Sequence, residues 1–476
     1  MEQWAKDWLE GQRRQGVKCL EIKVSGKNHY VYYSITHWDK DLKKAVKTSD
    51  YLGKLDPVEG FVESRSKKQQ SNEIRNVREY GNSMLLHESL KEIKPILAEA
   101  FPESWEEIYC LAMVRVQGYV PLKRAESAWD KLYNAEGINP NLSPKNISNV
   151  LREVGVDRIG QDLVFSRLMD QSQQLVYDLT CMFSRSMSIS QAEKGYNKDK
   201  IQVPQINLAL LCNAESGLPA MIRSLPGSLK DIRTLHNSIS ELDIRDKVLI
   251  LDRGFFSEEV MQFLASQRIS YIIPARRNSN YYKTRIHLNE HFYYRERLIR
   301  CGRRKDGDKF LYLFEDQNLM VEENDVLYRK LDDGKISREE LRDMMKRSGR
   351  ILLISNLDVP VKEIYELYKK REQVEQLFDS YKSALSADRL YLRDNESVFA
   401  HVFVSFLSLY AYSKIELALK KADLNSRFSP IDVLFEFSKV YHYDLGGREQ
   451  ITEVPKRVLD IEAKLGLDIF PIFVRS

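Results

Sequence analysis

The stretch Tyr368-Lys-Lys-Arg371-Glu-Gln-Val-Glu375-Gln-Leu-Phe-Asp-Ser-Tyr-Lys382 decides how this chain is read. Read as one helix turning about 100° per residue, it sets Tyr368, Arg371, Glu375 and Lys382 at roughly 0°, 300°, 340° and 320° around the axis. The four share an arc of about 60°, so one face carries a phenol, two cations and a carboxylate. A helix that needed only a solvated surface would scatter its charges or pair them one turn apart. Pairs of that kind occur here too, Glu366 with Lys370 among them. Taken alone, the face is equally an ordinary charged surface.

Two aspartates upstream shift that balance. Asp178 closes the run Gln174-Leu175-Val176-Tyr177, and Asp252 closes Lys247-Val248-Leu249-Ile250-Leu251 before Arg253-Gly254. Both runs read as buried strands. Either aspartate alone is better explained as a turn or cap residue after a strand. Two strand-end aspartates followed by a helical glutamate supply the donors of a metal triad. Mg²⁺ prefers oxygen ligands, keeps several waters, and is held by one or two carboxylates plus substrate phosphate oxygens. Two such ions about 3.5–4 Å apart activate a nucleophile and stabilise the leaving oxygen of a phosphodiester. The cofactor expected for Asp178, Asp252 and Glu375 is therefore a pair of Mg²⁺ ions, with Mn²⁺ as a substitute.

In these residues the chain resembles the DDE transposases of bacterial and archaeal insertion sequences, specifically the insertion sequence four family. The resemblance covers residues 170–420, and the Y-x2-R-x3-E-x6-K signature matches at all four positions. It implies a ribonuclease H-like α/β catalytic domain with Asp178, Asp252 and Glu375 as catalytic and metal-holding residues. It further implies that Tyr368, Arg371 and Lys382 contact DNA phosphates and the transposon end beside the metals. The implied partners are double-stranded DNA at the transposon ends and target DNA, with a homodimer assembled on that DNA. The implied activity is cleavage and strand transfer at the ends of the chain's own element. A metal-dependent nuclease that cleaves without joining is one alternative. A catalytically silent, transposase-derived DNA-binding protein is another, and the intact triad and complete helix face argue against it.

The surrounding pattern fits a mixed α/β sheet. Gln205 to Cys212 and Leu218 to Ser224 flank the turn-rich Asn213-Ala214-Glu215-Ser216-Gly217 and read as a hairpin. Lys230 to Leu242 is a helix candidate, as is Ser257 to Gln267 with Ser257 as N-cap, followed by the apolar run Ser270 to Pro274. The gap from Asp252 to Glu375 is too long for a minimal fold, so an insertion is expected at residues 276–350. The catalytic core then comprises residues 171–275 and 351–395.

That insertion is expected to be mainly β, with arginines and lysines interleaved with Tyr281, Tyr282, Phe292, Tyr293, Tyr294 and Phe310. Basic residues among aromatics suit a surface that tracks phosphates and stacks on bases, and equally suit the outer face of an ordinary antiparallel sheet. Arg303, Arg304 and Lys305 are its candidate DNA contacts. Members of the resembling family handle a flipped base and a hairpin intermediate here, some with a tryptophan. All five tryptophans, Trp4, Trp8, Trp38, Trp105 and Trp129, precede Asp178. Either a tyrosine such as Tyr281 or Tyr294 stacks instead, or no hairpin forms.

Residues 1–60 alternate as a small β module of three strands, and 73–170 read as helical. Ser143-Pro144 opens a helix over Lys145 to Val154. The helix, turn and helix from Pro121 to Val154 suit either an end-binding unit or simple helix packing. Residues 396–476 form a C-terminal helical region whose first helix is largely apolar, interrupted by His401 and serines, and reads as buried rather than membrane-spanning. The resemblance suggests that such helices help pair two protomers. With 73 basic against 69 acidic residues the net charge is only +4, so a nucleic-acid footprint must be local. Five scattered cysteines without a CxxC argue against a zinc site and a disulfide framework. The first residues lack a signal-peptide core, and a cytoplasmic, nucleoid-associated protein is expected.

Overall fold

The computed structural model describes the chain apart from residues 15–16, 40–43, 65–73, 119, 185, 196–202, 230–234, 237–238, 240–241, 243, 389–391, 446 and 472–476. Most of the helix expected over Lys230 to Leu242 therefore lies outside the described residues. The chain divides into two compact units, one of Met1–Val77 with His442–Ile451, the other of Arg78–Tyr441 with Thr452–Ser476.

The first unit opens with a helix that the sequence reading missed, α1 (Gln3–Arg14). An antiparallel meander follows, formed by β1 (Leu20–Ser25), β2 (Asn28–Asp39), β3 (Lys44–Asp56) and β4 (Gly60–Glu63). The fourth strand exceeds the expected three because the chain reverses tightly after Asp56. The Asp56 carboxylate accepts the Val58 and Glu59 N–H groups, and Gly60 takes the left-handed conformation that a side chain would disfavour. Ala5 and Leu9 of α1 close a small core with Leu20, Val31 and Leu55, flanked by Trp4, Trp8, Ile22 and Leu52. A further strand, β5 (Ile74–Glu79), lies where only helix was expected.

In the second unit, α2 (Gly81–Leu90), α3 (Ile93–Ala100), α4 (Trp105–Val116), α5 (Ala125–Trp129), α6 (Pro144–Val156) and α7 (Arg158–Met169) precede the main sheet. Its strands and helices then run β6 (Gln174–Phe183), β7 (Gln205–Asn213), β8 (Pro219–Pro226), β9 (Val248–Leu251), α8 (Glu258–Ser266) and β10 (Ser270–Pro274). Ser257 caps α8 by accepting the Val260 N–H. There follow β11 (Glu290–Tyr294), β12 (Arg297–Asp306), β13 (Lys309–Asp316), α9 (Gln317–Asp332), α10 (Arg338–Met345) and β14 (Arg350–Ser355). The chain continues through α11 (Val361–Lys369), α12 (Glu372–Asp379), α13 (Asn395–Lys421), α14 (Pro430–Phe437), β15 (Tyr441–Leu445), β16 (Glu449–Ile451) and α15 (Lys456–Leu465). Of these, β15 and β16 belong to the first unit, apart from Tyr441, and form a three-stranded sheet with β5.

A nine-stranded mixed sheet in the order β11-β12-β13-β14-β10-β9-β6-β7-β8 organises this unit. The neighbours β6, β9 and β10 pair in parallel, and the outer strands pair antiparallel. The expected insertion is thus not a separate sheet: β11 to β13 extend the main sheet through β14, and the rest is a helical pair, α9 and α10.

The apolar C-terminal helix α13 is a core element. Its side chains from Val398 to Tyr412 are nearly all buried, and it packs on α2, α4, α6 and β8. It is the one helix among the described residues long and apolar enough to cross a membrane, yet most of it is buried within the chain. Ser143 stands at the N-cap of α6 but its hydroxyl donates to Asn141 rather than capping the helix, and α6 uses Ile147, Val150, Leu151 and Val154 to pack against α13, so its apolar stripe serves the core. The two helices meet at Gly155, where a Cβ would lie 1.9 Å from the Glu396 carbonyl oxygen. Gly155→Ala is therefore expected to lower stability by about 2–3 kcal/mol, read from urea unfolding.

His401 on α13 is buried; its Nε2 faces the Ala387 carbonyl at 2.9 Å, and Arg115 Nη2 lies 3.2 Å from Nδ1. Arg115 can only donate, so Nδ1 accepts and Nε2 carries the proton of a neutral ring. Burial, reinforced by the Arg115 charge, pushes its pKa down from 6.5 to about 3. A depressed value means that the unfolded chain takes up the proton first. The contribution is whole above pH 6.5 and is lost as pH falls toward 3. His401→Gln should make the fall in stability between pH 6.5 and about 5 shallower in pH-dependent melting.

Candidate active site

The pairing of β6 with β9 matches Gln174 to Val248, Leu175 to Leu249, Val176 to Ile250 and Tyr177 to Leu251. One position past that pairing, Asp252 follows the end of β9 and Asp178 continues β6, on neighbouring chains about 4.8 Å apart. Asp178 does not end its strand, as the sequence suggested, because β6 runs on to Phe183 against β7. It ends only the parallel pairing. Asp178 is buried, and its carboxylate accepts the Leu179 N–H at 2.8 Å.

The signature segment departs from the single regular helix expected. The turn at Lys370 and Arg371 separates α11 from α12, with three-residue hydrogen bonds from Lys370 N–H to Leu367 and from Arg371 N–H to Tyr368. Beyond α12, Ser380–Ala384 widens into a π-helical turn in which the Leu385 N–H reaches the Ser380 carbonyl. Such local tightening and widening rotates side chains away from an ideal 100° count, and π turns mark functional segments in many helices. The arc of about 60° therefore does not describe the folded segment.

The side chains nevertheless meet the strand aspartates. Arg371 Nη1 lies 2.9 Å from Glu375 Oε1 and 3.4 Å from Asp252 Oδ1. Burial opposes the Arg371 charge, but Tyr368, Asp252, Glu375 and Asp178 together raise its pKa above the ordinary arginine value. The Tyr368 ring centroid lies 5.9 Å from the guanidinium carbon, and burial raises the Tyr368 phenol against the opposing effect of Arg371. Lys382 Nζ donates to Thr180 Oγ1 at 2.7 Å. Thr180 is two residues beyond Asp178 on β6, hence on the same face of the strand.

Two of these relations were missed in the sequence. Thr180 was legible had the strand been extended through Leu179-Thr180-Cys181, a run suited to β structure. The role of Arg371 as internal counter-charge carries no sequence signal beyond its spacing from Glu375. Among the described residues, no three acidic, histidine or cysteine side chains lie close enough together to share one ion. Asp252 and Glu375 are joined through a guanidinium instead. The donor set itself, three carboxylates with two at adjacent strand positions, fits a hard divalent cation once Glu375 leaves Arg371.

The insertion presents fewer uncommitted cations than its sequence suggests. Arg303 pairs with Asp358 at 2.6 Å, Arg304 donates to the Arg285 carbonyl at 3.3 Å, and Lys305 lies 5.8 Å from the Phe310 ring centroid. Arg277, Arg295, Arg297 and Arg300 pair with Glu323, Glu372, Asp316 and Glu315 in turn. Of the stacking candidates, the Tyr281 hydroxyl is held between Glu258 and Lys309, and Tyr294 packs 5.3 Å from Tyr365 under Arg295. Both rings are engaged within the protein.

Removing the guanidinium would leave Asp252 and Glu375 without their shared partner. Arg371→Met is expected to cost about 2 kcal/mol in chelator-treated protein, because a partly buried carboxylate loses its counter-charge. Glu375→Gln, at the more exposed end of the pair, should cost under about 1 kcal/mol. Urea unfolding of the two variants side by side checks the order.

A family model described as transposase DDE domain matches residues 170–411. No curated protein matches the chain in sequence. Among solved structures, the chain is similar to a piggyBac transposase synaptic complex with hairpin DNA, seen by cryo-EM, at 13% identity. That alignment covers 83% of this chain and 81% of the other, with a TM-score of 0.38. The family match spans just over half of the chain, from just after α7 into α13, and includes every residue of the site described above. This chain belongs to the transposase DDE domain family, a family of DNA phosphoryl-transfer enzymes.

Proposed function

We propose that this chain is a transposase of the insertion sequence four type that cleaves and joins DNA at the ends of its own element. The observation that carries the reading is the register of β6 and β9, which makes Asp178 and Asp252 neighbours while Arg371 ties Asp252 to Glu375. In this reading the mixed sheet is ribonuclease H-like, and Asp178, Asp252 and Glu375 hold two Mg²⁺ ions. Bound there, the ions would supply activation of a water or a DNA 3′-hydroxyl and stabilisation of the leaving 3′-oxygen. The chain's own residues do the rest. Arg371 exchanges Glu375 for a DNA phosphate, so its charge serves the carboxylates before DNA binds and the phosphate afterwards. Lys382, held by Thr180 beside Asp178, offsets charge on an adjacent phosphate. Tyr368 keeps its proton and braces the guanidinium. The DNA partners are the element's ends and a target duplex, and the assembled form is a homodimer.

Asp252→Asn should lower single-turnover cleavage of an end-bearing duplex by about 10⁴-fold while leaving affinity nearly intact, since phosphates are held by cations. Cleavage at the wild-type rate would reduce Asp252 to a turn residue. Arg371→Ala should slow single-turnover cleavage by about 10²-fold, with a smaller change in binding. Neutralising Arg303, Arg304 and Lys305 together should act on affinity and its salt dependence instead, and modestly, because Arg303 is spent on Asp358. Equal losses of rate and affinity in both variants would remove any privileged link between Arg371 and the chemistry.

A further inference from the structure

The sheet of the N-terminal unit has two unlike faces. One carries Leu20, Val31 and Leu55 and is covered by α1. The other is uncovered by α1 and, by register, aligns Lys23 with Tyr30, Tyr30 with Lys54, Tyr32 with Tyr51, Ser34 with Ser49 and Thr36 with Lys47. A β-bulge between Val31 and Tyr32 makes this possible. The register shift sends Leu52 to the core side and brings Tyr51 opposite Tyr32.

The chemistry of this face is that of a nucleic-acid surface. Two carboxylates lie on this side: Glu21, satisfied by Lys47 at 2.7 Å and Ser34 at 2.8 Å, and Asp56 at the end of β3, held by the Val58 and Glu59 N–H groups with a smaller influence of Lys54. Lys23 lies 4.5 Å from the Tyr32 ring centroid. Neither Lys23 nor Lys54 is held in an ion pair among the described residues. The rings of Tyr30, Tyr32 and Tyr51 pack against one another at centroid distances of 5.8 and 5.3 Å. Rings so engaged are poor platforms for stacked bases, whereas lysine ammoniums and seryl, threonyl and tyrosyl hydroxyls suit phosphate oxygens and base edges. Three adjacent strands span about 10 Å, which fits a major groove about 12 Å wide.

We infer that the face formed by Lys23, Tyr30, Tyr32, Tyr51 and Lys54 is a duplex-DNA-binding surface, laid as a sheet into the major groove. The inference rests on the transposase reading for the presence of DNA, but assigns binding to a part of the chain outside the DDE domain.

The test is fluorescence anisotropy with full-length protein, a 40-base-pair duplex of mixed sequence and the matching single strand, at several salt concentrations. Lys23→Gln/Lys54→Gln should bind the duplex at least tenfold more weakly, with a log–log salt slope shallower by about two. Lys6→Gln/Arg13→Gln, on α1 across the sheet, is the control and should bind like wild type. An unchanged melting temperature shows that the double variants are folded. Wild-type affinity and slope in Lys23→Gln/Lys54→Gln would overturn the assignment and leave the transposase reading intact. Equal weakening by the α1 control would overturn it as a bulk charge effect. Losses confined to the single strand would overturn the duplex commitment. Wild-type protein that binds neither DNA would sink the transposase reading together with this one.

Discussion

Carboxylates drawn toward one end of two central strands repel unless a cation offsets them, and Arg371 is the cation this chain supplies. Its guanidinium touches Asp252 and Glu375 and feels Asp178 and Tyr368. A like-charge cluster of this kind either raises the carboxylate pKa values or recruits positive charge, and a planar guanidinium has donors enough for more than one carboxylate. The acidic residues can thus be held in place before any metal or phosphate arrives. The same contact carries a functional cost: whatever binds Glu375 must compete with an intramolecular partner one helical turn away.

That geometry depends on what lies beneath it. Asp178 and Asp252 sit side by side because hydrophobic runs on β6 and β9 leave only one register that buries both strands. The signature segment is aimed by Val374, Leu377 and Phe378 of α12, which are buried where that helix packs on β6 and β7. The tight turn at Arg371 and the π turn at Ser380–Ala384 then redirect the polar side chains without moving this apolar anchor. Beneath β8 the long helix α13 fills the core, so its hydrophobic surface is largely satisfied within the chain rather than reserved for a second protomer.

Local chemistry made much of this legible in the sequence. The β7–β8 hairpin, the Ser257 cap, the β9 and β10 runs and the burial of α13 each follow from periodicity or a turn residue, and each is present. What escaped depends on tertiary partners. The composition of Leu179-Thr180-Cys181 permits β6 to run past Asp178, but the pairing that sustains the extension comes from β7, a partner that local pattern does not name. The split of the signature helix at Lys370 and Arg371 leaves the 3.6-residue pattern intact, so the sequence holds no warning of it. The insertion's charge was visible but its pairing was not: residues such as Glu315 and Asp358 are distant in sequence from the arginines they neutralise.

Such pairing bears on where DNA affinity can come from. A chain with 73 basic and 69 acidic residues has little net charge to offer, and each Arg–carboxylate pair in the β11–β13 region removes another cation from the supply. Counterion release counts only the cations that reach phosphates. Arg371 is already paired with Glu375, so on the proposed reading its exchange onto a phosphate would gain less than the binding of a lysine without a carboxylate partner. A site built in this way favours selectivity at the reacting phosphate over affinity. General affinity must then be supplied by lysines that have no carboxylate to leave.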